Sequence, residues 1–170
     1  MSEFKKISAE EIDENLIKLI GKEWMLITAG DETKWNTMTA SWGGMGFMWN
    51  MPTALTVVRP QRYTFEFTEK FPKYTLCFFD EKYRKALSFC GSHSGRDFDK
   101  AKETGLTPVY GDGYTYFKEA KLVLICEKLY NQWFTPESFV DRSIIDDVYP
   151  TGDFHKMYIG KITECLQKNA

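Results

Sequence analysis

Three short stretches carry most of the side chains that could bind a small anionic ligand. In Asn36-Thr37-Met38-Thr39-Ala40-Ser41-Trp42, hydroxyl residues alternate along a strand-like run that ends at Gly43-Gly44. Side chains on a strand alternate between its faces, so Thr37, Thr39 and Ser41 share one face and Met38, Ala40 and Trp42 the other. The expectation is that one face packs in the core while the other offers hydroxyls to a polar ligand. In Arg59-Pro60-Gln61-Arg62-Tyr63-Thr64, two guanidinium groups and a Thr hydroxyl follow the β-branched run TALTVV. Arginine meets phosphate with a planar fork of donors, and strand ends are where loops meet ligands on a rigid scaffold. In Ser92-His93-Ser94-Gly95-Arg96-Asp97-Phe98-Asp99-Lys100, two Ser, one Arg and one Lys surround a predicted helix start, whose free N–H groups favour an anion. Taken singly, these are also an ordinary Thr-rich strand, a solvated basic turn and a capped helix. Taken together, they propose a ligand with a phosphate and an apolar, hydrogen-bonding ring system.

Other chemistries fit poorly. The two histidines, His93 and His155, lie far apart with no cysteine at finger-like spacing, so no metal site is expected. Cys90 and His93 could share a helical face, but a buried cysteine beside a polar helix end is the simpler reading. There is no G-x-S-x-G elbow for serine hydrolysis. Gly44-Met45-Gly46 runs into Phe47, Met48 and Trp49 rather than a third glycine, which argues against a dinucleotide-binding turn.

The elements that must position the three stretches are mostly strands. Ser8 and Glu11 fit a capping box, and Ile12, Leu16, Leu19 and Ile20 recur at helical spacing, predicting one helix over about 8–20. From Trp24 the pattern becomes short β-type runs: WMLITA and WNTMTASW as a hairpin around GDETK, then a GGMG turn, then TALTVV. Tyr74–Phe79 reads as a strand and the stretch around Tyr83–Phe89 as a helix with Tyr83, Ala86, Leu87 and Cys90 facing one side. A second short helix is predicted after Ser94-Gly95, with Asp97 in its first turn and Gly105 at its end. A Gly-Asp-Gly turn at 111–113, a strand over Ala120–Phe134, a loop at Thr135-Pro136 and a strand over His155–Leu166 complete the chain. Strands outnumber helices and do not alternate with them, which favours an antiparallel barrel decorated by helices over a parallel sheet. No linker divides residues 1–170, which read as a single domain.

Composition narrows the function classes. The 170 residues, 43% hydrophobic, can bury one sizeable core, and the formal charge of −2 provides no general field for nucleic acid or an anionic membrane. No run approaches the ~20 apolar residues of a membrane span. Four scattered cysteines and the absence of a signal-like N-terminus read as reduced thiols in a cytoplasmic protein. Aromatics make up 16%, a surplus that asks for a β-rich core, an aromatic ligand or a large interface.

N-T-M-T-A-S-W-G, R-P-x-R-Y-T and S-G-R-D-x-D-K, in that order, resemble the flavin reductase-like family, and within it the flavoredoxin-type members. His155-Lys156-Met157-Tyr158-Ile159-Gly160-Lys161-Ile162 is similar to that family's last barrel strand. The resemblance runs from about Trp24 to Glu164 and implies an antiparallel, Greek-key type split β-barrel with peripheral helices, binding FMN non-covalently at a homodimer interface. By that resemblance, Asn36, Thr37, Met38, Thr39, Ala40, Ser41 and Trp42 line the isoalloxazine and ribityl chain, partly through backbone groups. Arg59, Arg62, Tyr63 and Thr64 continue the pocket. Ser94, Gly95, Arg96 and Lys100 hold the phosphate, and His155 and Tyr158 lie near the cofactor or the dimer contact. The implied activity moves electrons between NAD(P)H or a redox protein and an acceptor. The alternative is an electron carrier or binding module without NAD(P)H turnover. Better-known two-component flavin reductases follow the Thr-x-Ser strand with a Ser-rich loop before a proline. Here residues 43–52 are expected to form a bulky, apolar loop instead.

Overall fold

The computed structural model describes residues 3–169. It is mainly β. Ten strands alternate irregularly with short helices: β1 (Phe4–Ile7), β2 (Met25–Gly30), β3 (Trp35–Ala40), β4 (Gly43–Met48), β5 (Met51–Val58), β6 (Lys73–Phe78), β7 (Pro108–Gly111), β8 (Tyr114–Phe117), β9 (Leu122–Trp133) and β10 (Lys156–Lys168). The α-helical segments are α1 (Leu16–Lys18), α2 (Tyr63–Lys70), α3 (Arg84–Ser92), α4 (Lys100–Thr104) and α5 (Ser143–Val148).

The strands β3-β2-β6-β9-β10-β5-β4 form one coiled antiparallel sheet in that order, and β1 adds to β10. The sheet is not hydrogen-bonded shut, since β3 and β4 end the path, which is the architecture of a split barrel. Two bulges bend the β9–β10 pair, one at Ile159/Gly160 with Leu129 of β9 as the extra residue and one at Ile162/Glu164 with Thr163 of β10 as the extra residue. Strand β2 is buried along its whole length because both faces are covered. Met25, Ile27 and Ala29 join the barrel interior with Met38, Phe67, Tyr74 and Tyr158, whereas Leu26 joins an outer layer with Cys77, Leu87, Cys90 and Phe117 under α3 and the β7–β8 hairpin. That two-sided burial explains why the run reads as continuously apolar rather than alternating.

The β2–β3 hairpin forms as expected, with Asp31 Oδ1 accepting from the Thr33 and Lys34 N–H groups in its turn. Three expectations need correction. The single helix over 8–20 is broken. Ser8 N–H does donate to Glu11 Oε2 (2.7 Å), but the turn it starts is a 3-10 turn of three residues. Asn15 then accepts from Lys18 N–H and opens α1, which continues as a π-turn over Leu19–Glu23. A second capping side chain inside the predicted helix divided it, although Leu19 and Ile20 still bury against the barrel.

Residues 43–52 are not a loop. They include β4, which pairs with β5 through a two-residue turn at Trp49-Asn50 with φ of 54° and 58°, the mirror-image turn that suits tight hairpins. The short helix expected after Ser94-Gly95 forms but starts later, so Asp97 is not in its first turn. Asp97 and Phe98 donate back to Ser94 O in a turn, and α4 starts at Lys100, where Asp99 accepts from Lys102 N–H. It ends at Gly105, whose φ of 72° is the left-handed conformation glycine favours. The helix α2 is not anticipated by the sequence reading. Tyr63, Phe65 and Phe67 alternate as a strand would, but Thr64, Phe67 and Thr68, at helical spacing, are the residues that bury.

Candidate functional site

The ends of β3 and β5, the start of α2 and the turn after α3 surround a groove made of two joined recesses. One is lined by Met38, Thr39, Ala40, Ser41, Trp42, Val57, Arg59, Arg62 and His155. The other is lined by Asn36, Met38, Gln61, Arg62, Tyr63, Thr64, Gly91, Ser92, His93, Ser94, Gly95 and Lys100. Met38 and Arg62 belong to both, so an apolar, aromatic end leads into a polar, cationic one. The three stretches of sequence therefore do converge.

The cationic end is unusual in its charge balance. Lys100 is buried, and its Nζ donates to Thr37 O (2.7 Å) and Cys90 O (2.8 Å), which leaves one of its three N–H groups unused. Arg62 donates to Gly91 O (2.8 Å) and Cys90 O (3.4 Å). Among the described residues neither cation has a carboxylate partner within 4.0 Å. Burial, helped by the Arg62 charge and opposed by Cys90, lowers the Lys100 pKa to about 8. Burial also lowers that of Arg62 and pushes the Cys90 thiol up to about 11, so Cys90 is a protonated core residue. Arg62 is the N-cap of α2 and supplies no capping acceptor, and the first two residues of that helix, Tyr63 and Thr64, line the same recess. Two uncompensated cations beside an uncapped helix N-terminus form a ready site for a phosphate.

The framework around that end is tight. Asn36 Nδ2 donates to Thr64 Oγ1 (2.8 Å), tying β3 to α2. Gly95 rests on this pair: a Cβ there would lie 1.9 Å from Asn36 Oδ1. Ser94 Oγ accepts from Arg96 N–H (3.2 Å) and shapes the turn.

Several expected residues act differently. Two hydroxyls of the expected ligand face of β3 are engaged elsewhere: Thr37 Oγ1 bonds Thr28 Oγ1 and Ile27 O, and Thr39 Oγ1 bonds Leu87 O under α3, although Thr39 and Ser41 still line the groove. From the opposite face the groove also meets Asn36, Met38, Ala40 and Trp42. The expected hydroxyl face is thus presented only in part, because α3 lies over β3 and takes the Thr39 hydroxyl. Arg96 is not among the lining residues; it pairs with Glu66 (2.5 Å) and lies 4.5 Å over the Tyr63 ring. Tyr158 is sealed in the barrel, donating to Glu69 Oε1 (2.7 Å), and does not reach the groove. Arg59 does, but it is held by Asp153 and Val148 O, with Gln61 also donating to Asp153 (2.6 Å). His155 lines the apolar end beside Trp42, their rings 5.0 Å apart. Burial, then the Arg59 charge, lowers its pKa to about 4 against the opposing pull of Asp153.

Sequence reasoning missed Val57, Gln61, Gly91, Ser92 and His93 as lining residues. Gln61, Ser92 and His93 lay inside the marked stretches. Val57 and Gly91 carried no chemical signal and enter only through β5 pairing and the end of α3.

Over residues 18–170 the sequence matches the family model described as flavin reductase like domain. Among solved structures, the chain is similar to flavoredoxin from Methanosarcina acetivorans, with 19% identity and a TM-score of 0.69 over 99% of this chain and 77% of that one. It is also similar to an FMN-binding protein from Thermus thermophilus crystallised with p-hydroxybenzaldehyde: 18% identity, TM-score 0.69, 96% of this chain and 83% of that one. A third is the Streptomyces globisporus C-1027 NADH:FAD oxidoreductase SgcE6 in complex with NAD and FAD fragments: 17% identity, TM-score 0.61, 85% and 75%. At these identities the likeness to solved structures is one of fold. No curated protein matches by sequence.

Proposed function

The chain belongs to the flavin reductase-like domain family, and on that premise we propose that it is an FMN-binding oxidoreductase whose groove holds the flavin non-covalently. The observation that carries this reading is the pair of buried Lys100 and half-buried Arg62, two cations bonded to carbonyls alone at the polar end of an aromatic groove. A flavin mononucleotide has the matching division into a phosphate and a planar ring. The donor set fits that phosphate: the free N–H of Lys100, Arg62, the opening N–H groups of α2 and the Ser92–Gly95 turn. The Asn36–Trp42 edge, Met38, Val57, Arg59 and His155 would receive the ring and its side chain. When bound, the flavin supplies the redox chemistry, so the protein needs to hold it, shield it and set its electrostatic surroundings. This division of labour accounts for a site without a nucleophile–base pair.

The electron source is NADH, NADPH or a reduced protein, and the occupant of the second seat on the ring decides which. Purified protein should be yellow and release FMN on denaturation; a colourless protein that does not take up added FMN would refute the reading. Rapid bleaching of the flavin band by NADH or NADPH in stopped flow supports a reductase. Bleaching by dithionite or a reduced protein alone supports the electron-carrier alternative.

We further propose a homodimer. Phe47, Met48 and Trp49 at the β4–β5 tip are exposed, as are Trp42 and, two strands away on β9, Leu129, Tyr130 and Trp133. The Trp49 and Tyr130 rings lie 6.3 Å apart, so the hairpin tip and this part of β9 share a face. An apolar face of this kind is suited to a second copy of the chain. The four cysteines are free and buried, and no helix among the described residues is long and apolar enough to cross a membrane. A cytoplasmic location suits such a protein.

A further inference from the structure

Beside Trp42, the wall of the groove contains a side chain whose proton is placed by its neighbours. His155 Nδ1 lies 2.7 Å from the Tyr149 hydroxyl. A neutral imidazole has one donor and one acceptor nitrogen, and which is which follows from the bond the ring makes. The imidazole lone pair is a stronger acceptor than a phenol oxygen, so Tyr149 donates to Nδ1 and the ring proton resides on Nε2. Nε2 is neither bonded nor enclosed: Thr56 Oγ1 is the buried side-chain atom left without a partner among the described residues. Because His155 lines the groove, its Nε2–H is available to the occupant.

The surroundings also keep the ring neutral. Burial and the Arg59 charge oppose a second proton more strongly than Asp153 favours it, and the pKa falls to about 4. Arg59 sits 5.2 Å over the Tyr149 ring and is itself bound by Asp153 and Val148 O. The Tyr149 ring is held between Phe154, stacked at 4.8 Å, and Phe139 at 5.8 Å.

We propose that Tyr149 is a positioning residue that fixes His155 as the Nε2–H tautomer, so that the imidazole serves the groove as a neutral hydrogen-bond donor to an acceptor atom on its occupant. The inference rests on the flavin reading only for who that occupant is; the tautomer is a property of the protein alone. It also removes His155 from the role of proton shuttle near neutral pH, since the ring does not gain a second proton there.

Imidazole 1H–15N NMR tests this directly, because the chain has two histidines and His93→Gln leaves His155 as the single signal. The expected spectrum shows a proton on Nε2 and a neutral ring from about pH 5 to 8. In Tyr149→Phe, which keeps the ring packing, both tautomers should appear. A wild-type ring protonated on Nδ1, or doubly protonated at pH 7, overturns the proposal whether or not the variant folds. An unchanged tautomer in folded Tyr149→Phe removes the positioning role. Bound FMN should shift the Nε2–H resonance, and bound FMN that leaves it unmoved refutes its presentation to the occupant. Failure to bind FMN at all would count against the flavin reading and leave the tautomer result standing.

Discussion

Replacing Lys100 by Met isolates the anion site. The substitution keeps the length and apolar stem of the side chain but removes the ammonium, whose third N–H is not used by the protein. A charge-assisted hydrogen bond is worth about 1.5–3 kcal/mol, and each 1.4 kcal/mol is tenfold, so FMN affinity should fall by about 10- to 150-fold. The protein itself will also be weakened, because Thr37 O and Cys90 O lose a donor in a buried setting. Riboflavin, which lacks the phosphate, corrects for that: it meets the same altered protein, so the ratio of the two losses reports the phosphate contact alone. Flavin fluorescence quenching gives both dissociation constants. The pH dependence supplies a second check. With a pKa near 8, Lys100 in the free protein loses its charge above that pH, so FMN affinity should decline there while riboflavin affinity stays flat. Stability runs the other way. Between about pH 8 and the ordinary lysine value of 10.5, the unfolded chain holds the proton that the folded chain has lost. The Lys100 contribution to stability therefore rises with pH in that window, and wild type should gain on Lys100→Met. Equal losses of FMN and riboflavin affinity would refute the placement of the phosphate at Lys100.

Other expectations follow from the same geometry. Arg96→Ala, whose guanidinium is paired with Glu66, should lower the FMN-to-riboflavin affinity ratio far less than Lys100→Met; the reverse order would relocate the phosphate site. Gly95→Ala should destabilise by about 1–3 kcal/mol and weaken FMN binding, because the added methyl displaces Asn36 from Thr64; an unchanged melting temperature would show that the turn can yield. Thr56→Val should raise stability by about 1 kcal/mol in urea unfolding, since it replaces a buried hydroxyl that has no partner; a loss would mean that the hydroxyl is satisfied in solution. Phe47→Lys at the hairpin tip should shift light scattering toward monomer; a wild type that is already monomeric refutes the dimer.

The barrel and the convergence of three sequence stretches were legible because they rest on short-range signals. Turn residues around GDETK, β-branched runs and clustered Arg, Lys and Ser each carry their meaning locally. What was not legible depended on the far side of an element. Thr37 and Thr39 look like ligand-facing hydroxyls until their bonds to β2 and α3 are seen. The Tyr63-Phe65-Phe67 alternation hid a helix because the residues that bury are Thr64, Phe67 and Thr68. Gly43–Met48 reads as a loop by its glycines, yet its hydrogen bonds are supplied by β5, a partner that no local pattern announces. Arg96 and Arg62 look equivalent in sequence; Glu66 occupies one, while carbonyls alone receive the other.

Strand β10 sets the order of assembly. It alone joins β1, β5 and β9, pairing with residues that begin at Phe4 and end at Trp133. Contacts this distant in sequence close late and slowly. A growing chain therefore cannot complete the barrel until Lys156–Lys168 has been synthesised, and His155, at the threshold of that strand, reaches the wall of the groove in the same step. Before then the β4–β5 hairpin has a second unpaired edge as well as its apolar tip, the kind of surface that joins neighbouring chains. The interval between synthesis of β5 and of β10 is thus the period of greatest aggregation risk. Deleting the last strand should yield insoluble protein rather than a smaller folded one.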